Sequence, residues 1–175
     1  VKVAPDFSAV PERRLLLAGL ALAWARGLQA AEVSADRHER IQWPTMTLLG
    51  GHTLVANDWK DTAAVVVFWA TWCPFCRRHN ARIEQLHRAA AGPHLRILSV
   101  ALDGDETSVQ RYMTMNDFHF PVVVGRPELR ALFTPRRVIP MTCLVDRRGR
   151  LLQAIPGEMA EDDVLALAAV ARSAA

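Results

Sequence analysis

The sequence predicts an α/β layer fold, and three observations carry that prediction. The run Ala63-Ala64-Val65-Val66-Val67-Phe68-Trp69 is apolar throughout, as in a strand buried on both faces and therefore central in its sheet. Strand-like and helix-like segments alternate downstream of it, and parallel strands need helical crossovers. The chain then closes with two short strands joined by the polar turn 146–150, followed by a last helical stretch. With 175 residues, 51% hydrophobic and 22% charged, there is enough apolar chain for one domain, and disorder, collagen and coiled coil are excluded.

Taken in order, residues 1–12 are a polar leader. Arg13-Arg14 then precedes the apolar stretch Leu15 to Ala25, which small residues close at Ala23-Trp24-Ala25 or at Leu28-Gln29-Ala30. A charged start, an apolar middle and a small-x-small end form an export-signal pattern. Eleven apolar residues are short of the roughly 20 that span a bilayer. Residues 1–31 therefore read as a leader and export signal or anchor, with an amphipathic or buried helix as the plain alternative. Residues 32–175 form the folded domain. Residues 35–41 are polar, a loop or short helix. Met46 to Leu49 and Thr53 to Val55 form a small hairpin around Gly50-Gly51, and Asn57 to Asp61 is a polar turn.

After the central strand, Pro74 occupies a first-turn position that tolerates proline, and a helix runs to about Ala90. His79, Ile83, Leu86 and Ala90 share one face, and Gly92-Pro93 ends the helix. Leu95 to Leu102 is a strand, Glu106 to Met115 a helix, Pro121 to Val124 a strand and Glu128 to Phe133 a short helix. Met141 to Val145 and Leu151 to Ile155 are the closing strands, and Ala160 to Ala171 is the last helix.

The net charge is +3, yet from Glu32 onward 17 Arg and Lys face 16 Asp and Glu. No basic patch or nucleic-acid-reading motif accompanies the excess, so no nucleic-acid partner is expected. Three cysteines are too few for a disulfide framework, and the six histidines make no zinc-ligand spacing with them. No metal and no cofactor are expected.

Cys73-Pro74-Phe75-Cys76 sits between the central strand and a helix. Cysteines three apart at a helix start can close and reopen a small disulfide ring. The first lies where the helix dipole and free N–H groups favour a thiolate. That thiolate can attack a substrate disulfide, and the second cysteine can resolve the mixed disulfide. Half a zinc site is the competing reading, but no second cysteine pair exists. Cys73 is thus the expected nucleophile and Cys76 the resolving thiol.

The segment Val67 to Cys76 resembles the thioredoxin superfamily, most closely its TlpA/ResA-type envelope thiol–disulfide oxidoreductases. Leu98 to Asp103 and Ile139 to Arg150 continue the resemblance, which covers roughly residues 45–170. It implies a thioredoxin-like fold over 32–175, with a central mixed sheet flanked by helices and an N-terminal hairpin extension. It also implies a cis Ile139-Pro140 peptide facing the cysteines, where the Ile139 backbone pairs with an extended substrate. Trp72, Pro74 and Phe75 complete the expected substrate contacts. Two departures stand out. The buried aspartate six residues before the first cysteine of thioredoxins is Val67, and the glutamate three residues after the second cysteine is His79. His79 is one turn beyond Cys76 and becomes the candidate proton acceptor. The plain reading of His79 is a helix histidine with a satisfied ring.

Cys143 reads as a small core residue, with a third redox role as the alternative. Trp69 reads as core and Asp103 as a loop residue. Arg77-Arg78 and Arg136-Arg137 would rim the site if the proline loop faces the cysteines, or form a solvated charged face. The expected activity is disulfide reduction or isomerisation for selected exported proteins, with cytochrome c maturation as one setting implied by the resemblance. The partners are protein thiols and disulfides and a membrane-embedded thiol electron donor. The expected location is the periplasm or extracytoplasmic membrane face, and the expected state a monomer. A disulfide oxidase, a peroxiredoxin-like peroxidase, and a non-catalytic peptide- or copper-binding module with Met141 beside Pro140 remain the alternatives.

Overall fold

The apolar run at 63–69 becomes the middle strand of a five-stranded sheet. The computed structural model describes residues 40–90 and 92–173. Its elements are β1 (Met46–Thr47), β2 (Thr53–Leu54), β3 (Ala63–Trp69), α1 (Pro74–Ala90), β4 (Leu95–Ala101) and α2 (Glu106–Met115). They continue with β5 (Val122–Val124), β6 (Met141–Val145), β7 (Leu151–Pro156) and α3 (Glu161–Ser173). Two 3₁₀ turns, Ala56–Trp59 and Pro127–Leu132, complete the set. The strand order is β5-β4-β3-β6-β7. β3, β4 and β5 are parallel, β6 runs antiparallel to β3, and β7 runs antiparallel to β6. The sheet is mixed, as expected, and both β3 neighbours are covered by further strands.

Alternation along β3 divides the core in two. Val65, Val67 and Trp69 join Ile83 and Leu86 of α1, Val109 and Met113 of α2, and Val164 and Leu167 of α3. Ala64, Val66 and Phe68 face Met46, Leu54, Trp59, Leu129 and Phe133. All three α-helices thus pack on one face, while the hairpin and both 3₁₀ turns cover the other. The hairpin β1–β2 turns through Gly50 (φ +97°) and Gly51 (φ +91°), backbone that only glycine adopts without strain. Asp105 caps α2 by accepting the N–H groups of Thr107 and Ser108, each at 3.1 Å.

Two local expectations change. The polar turn at 57–61 begins as the 3₁₀ turn Ala56–Trp59, tightened by the Val55 N–H donating to the Asp58 carboxylate at 2.7 Å. The turn buries Trp59, whose ring stacks on Trp43 at 3.8 Å. The short helix at 128–133 is instead the 3₁₀ turn Pro127–Leu132. The export segment and residues 35–39 lie outside the described residues. Among the described residues no helix is long and apolar enough to cross a membrane.

Candidate active site

Strand β3 ends at Trp69, and five residues later the chain enters α1. Cys73 closes that connection and Cys76 lies in the first turn of the helix. The Cys73 N–H donates to the Ala70 carbonyl at 3.2 Å, folding the loop back before Pro74 opens the helix. The sulfurs of Cys73 and Cys76 are joined in a disulfide, with Cα atoms 5.2 Å apart. The Cys76 N–H donates to Cys73 Sγ at 3.2 Å, as the free N–H groups of a helix start allow. Cys73 keeps 5% of its surface exposed and Cys76 none. Cys73 is thus the slightly more accessible residue of the pair.

The loop before the pair is held from the neighbouring strand. The Asp103 carboxylate, just beyond β4, accepts the Thr71 N–H at 3.0 Å and the Thr71 hydroxyl at 2.6 Å. Sequence reasoning missed this, reading Asp103 as a plain loop residue. The available signal was a threonine two before the first cysteine and an aspartate at the end of the next parallel strand.

Trp72 and Phe75 lie on the outside, 72% and 57% exposed, so two large rings flank Cys73 in solvent. Ile139-Pro140 is cis. Pro140 precedes β6, whose Met141 pairs with Phe68 near the end of β3. Ile139 packs against the cluster that contains Cys73 and Cys76, so the proline loop lies on the redox end of the sheet. Trp69 is buried and packs against Tyr112 and Phe120.

His79 is fully buried on the inner face of α1. Its Nδ1 accepts the Met159 N–H at 3.4 Å, which leaves Nε2 carrying the proton and donating to Thr142 Oγ1 at 2.8 Å. Both ring nitrogens are thus engaged by groups other than the sulfurs. Burial, reinforced by the Arg82 charge and partly opposed by Glu158, lowers its pKa to about 4. Desolvation of the imidazolium outweighs the attraction of Glu158, and the ring is neutral at pH 7. Thr142 is the cross-strand partner of Val67, so the ring docks beside the position where the aspartate is missing.

The arginine rim is only partly a rim. Arg78 forks onto Glu158, with Nη2 at 2.6 Å, and lies over the Phe75 ring at 5.1 Å. Arg82 reaches the same carboxylate at 2.7 Å and the Met159 carbonyl at 2.5 Å. These contacts tie Glu158 and Met159, whose N–H donates to His79, to α1. Cys143 is free and buried, and burial pushes its thiol up to about 12. That fits the core reading of this residue. Among the described residues no three His, Cys, Asp or Glu side chains converge on one point.

The chain is similar to known proteins. The AhpC/TSA family profile matches residues 40–154. Thiol-disulfide oxidoreductase ResA of Geobacillus kaustophilus is 27% identical over 119 residues, covering 68% of each chain. Soluble secreted antigen MPT53 of Mycobacterium tuberculosis is 32% identical over 88 residues, 50% of this chain and 48% of that one. The chain therefore spans about two thirds of the length of the ResA relative and about half that of MPT53. A thiol:disulfide interchange protein of the thioredoxin family from Chlorobium tepidum superposes with a TM-score of 0.67 at 24% identity, over 73% of this chain and 91% of that one. This last likeness establishes the fold. The chain belongs to the AhpC/TSA family, with a thioredoxin-like fold and the cysteine pair of a thiol–disulfide oxidoreductase.

Proposed function

We propose that this oxidoreductase works outside the cytoplasm as a reductase of disulfides in selected exported proteins. Cys73 is the nucleophile: its thiolate attacks one sulfur of the substrate disulfide, forms a mixed disulfide and expels a substrate thiolate. Cys76 then attacks the Cys73 sulfur and releases the second substrate thiol. The substrate gains two electrons and the pair becomes the disulfide. A membrane-embedded dithiol donor restores the pair by the reverse exchange. Trp72, Pro74 and Phe75 contact the substrate from one side, and Ile139 and Pro140 from the other. His79 is a positioning residue, and the acting species is a monomer. Residues 1–31 serve as export signal or anchor, and residues 32–175 as the thioredoxin-like domain. The secreted nature of MPT53 favours the extracytoplasmic location. Cytochrome c maturation is one setting that needs such free thiols.

The observation that carries the reducing direction is the sparse surroundings of Cys73 Sγ. Its one hydrogen bond among the described residues comes from the Cys76 N–H. His79 is neutral and turned to Thr142, and Arg78 is spent on Glu158. A strong oxidant needs a heavily stabilised thiolate in its reduced form, and few groups here supply that stabilisation. Equilibration of the Cys73/Cys76 couple with thiol redox buffers tests the reading. A potential near thioredoxin's, roughly −270 mV, is expected, whereas one near DsbA's, roughly −120 mV, makes the chain an oxidase.

A further inference from the structure

On the sheet face away from the α-helices, the Arg130 side chain lies over the Phe68 ring, 5.7 Å from its centroid. Its Nε and Nη2 are buried and have no hydrogen-bond partner. No carboxylate among the described residues pairs with it. The groups that act on its charge are Arg137, a second cation, and the Cys143 thiol, which is neutral at pH 7. A guanidinium does not deprotonate in proteins, and burying part of one without a counter-ion or hydrogen-bond acceptor is costly. The Phe68 face attracts the charge but accepts none of the in-plane N–H groups.

Arg130 borders a cavity of about 390 Å³ that Leu102, Pro127, Thr134, Pro135 and Arg137 also line. No acidic side chain is among its walls. The Thr134 Oγ1 accepts the Arg136 N–H at 3.1 Å, which leaves its hydroxyl hydrogen uncommitted by that bond. Two guanidinium groups and a hydroxyl are the donor set that carboxylates select. The position matters as well. Leu102 and Pro127 follow the C-terminal ends of β4 and β5, as Cys73 follows that of the parallel β3. Arg137 is three residues from Pro140, a reach of at most about 11 Å along the chain.

We infer that this cavity is a carboxylate pocket that receives an acidic side chain of the protein whose disulfide docks at Cys73. The inference rests on the proposed action on protein disulfides and narrows it to substrates with an Asp or Glu near the reacting cysteine. The pocket fixes the substrate's register, while the cis-proline loop and the exposed rings hold its backbone and apolar groups.

The test uses the full chain, reduced, in single turnover with two disulfide-bonded peptides that differ only by Glu or Gln beside the cysteine. The Glu peptide is expected to react about tenfold faster at limiting concentration, the factor that about 1.4 kcal/mol supplies. Arg137→Gln, at an exposed position, and Arg130→Met should each bring that ratio towards one. Inorganic phosphate in the tens of millimolar should slow the Glu peptide selectively. Equal rates for both peptides in the wild-type chain overturn the pocket assignment and leave the proposed function standing. Phosphate binding that the arginine variants abolish, without any Glu preference, marks a site for a free anion and likewise overturns it. Failure to react with either peptide removes the proposed function together with this inference.

Discussion

Cys73 and Cys143 are both nearly sealed from solvent, at 5% and 0% exposure, and their surroundings differ in every other respect. Cys73 sits at the start of α1, where its sulfur accepts a backbone N–H. Cys143 sits in the middle of β6, between Val66 of β3 and Ala154 of β7, with its backbone groups committed to the ladder. One thiol is placed where unpaired N–H groups favour negative charge, and the other is placed among apolar side chains that penalise it. Burial alone does not decide reactivity. The local backbone does, and β6 shows the contrast within one residue, since Thr142 meets His79 on the helix face and Cys143 points into the opposite core.

The sharpest way to break this contrast is alkylation of the reduced, folded protein at pH 7.5. Cys73 should react with iodoacetamide at least about 10³-fold faster than Cys143, because the thiolate is the nucleophile and the Cys143 thiol is held near 12. Peptide mapping by mass spectrometry reads both sites. Modification of Cys143 at a comparable rate without denaturant would show that the core around β6 opens freely, and the contrast would fail.

Legibility from sequence follows the same division. The apolar run of β3, the proline at the first turn of α1 and the helix face with Ile83 and Leu86 were readable, because each is a local pattern with its own physical cause. The redox pair was readable because four consecutive residues carry it. His79 was visible as a candidate but its state was not. The groups that fix the ring come from Thr142 and Met159, 63 and 80 residues away. Arg130 passed unnoticed for a similar reason. The segment 128–133 reads as a short helix, and nothing in it singles out Arg130 until the fold lays the guanidinium on Phe68. The polar side chains that tune this site are distant in sequence, and no spacing rule reaches them.

His79 sharpens the comparison by extending it from thiols to a buried base. Its folded pKa of about 4 lies below the ordinary value of 6.5. Between those values the unfolded chain binds more protons than the folded one, so stability rises with pH across that window. The contribution is complete above about pH 6.5 and is lost as pH falls through about 4, a difference of about 3 kcal/mol. Urea denaturation of the oxidised protein at pH 7 and pH 4.5 should reveal that loss in the wild type, and His79→Gln should remove most of it. A slope that survives the substitution would assign the pH dependence to other groups and leave His79 without an energetic signature.

The smallest effect concerns Asp103, which sets the loop leading to Cys73 and has no counterpart beside Cys143. Two hydrogen bonds join its carboxylate to Thr71, one from the backbone N–H and one from the hydroxyl. Asp103→Asn keeps an acceptor for one donor and weakens the other, so a stability loss of about 1 kcal/mol is expected. A double-mutant cycle with Thr71→Val isolates the side-chain contact, whose coupling should be of the same sign and about 0.5–1 kcal/mol. The same variants should slow the attack of Cys73 severalfold without altering the alkylation of Cys143, because Asp103 acts through the loop and not through the sheet. Coupling near zero, with both thiols affected alike, would mean that the end of β4 steadies the whole sheet and has no particular purchase on the redox loop.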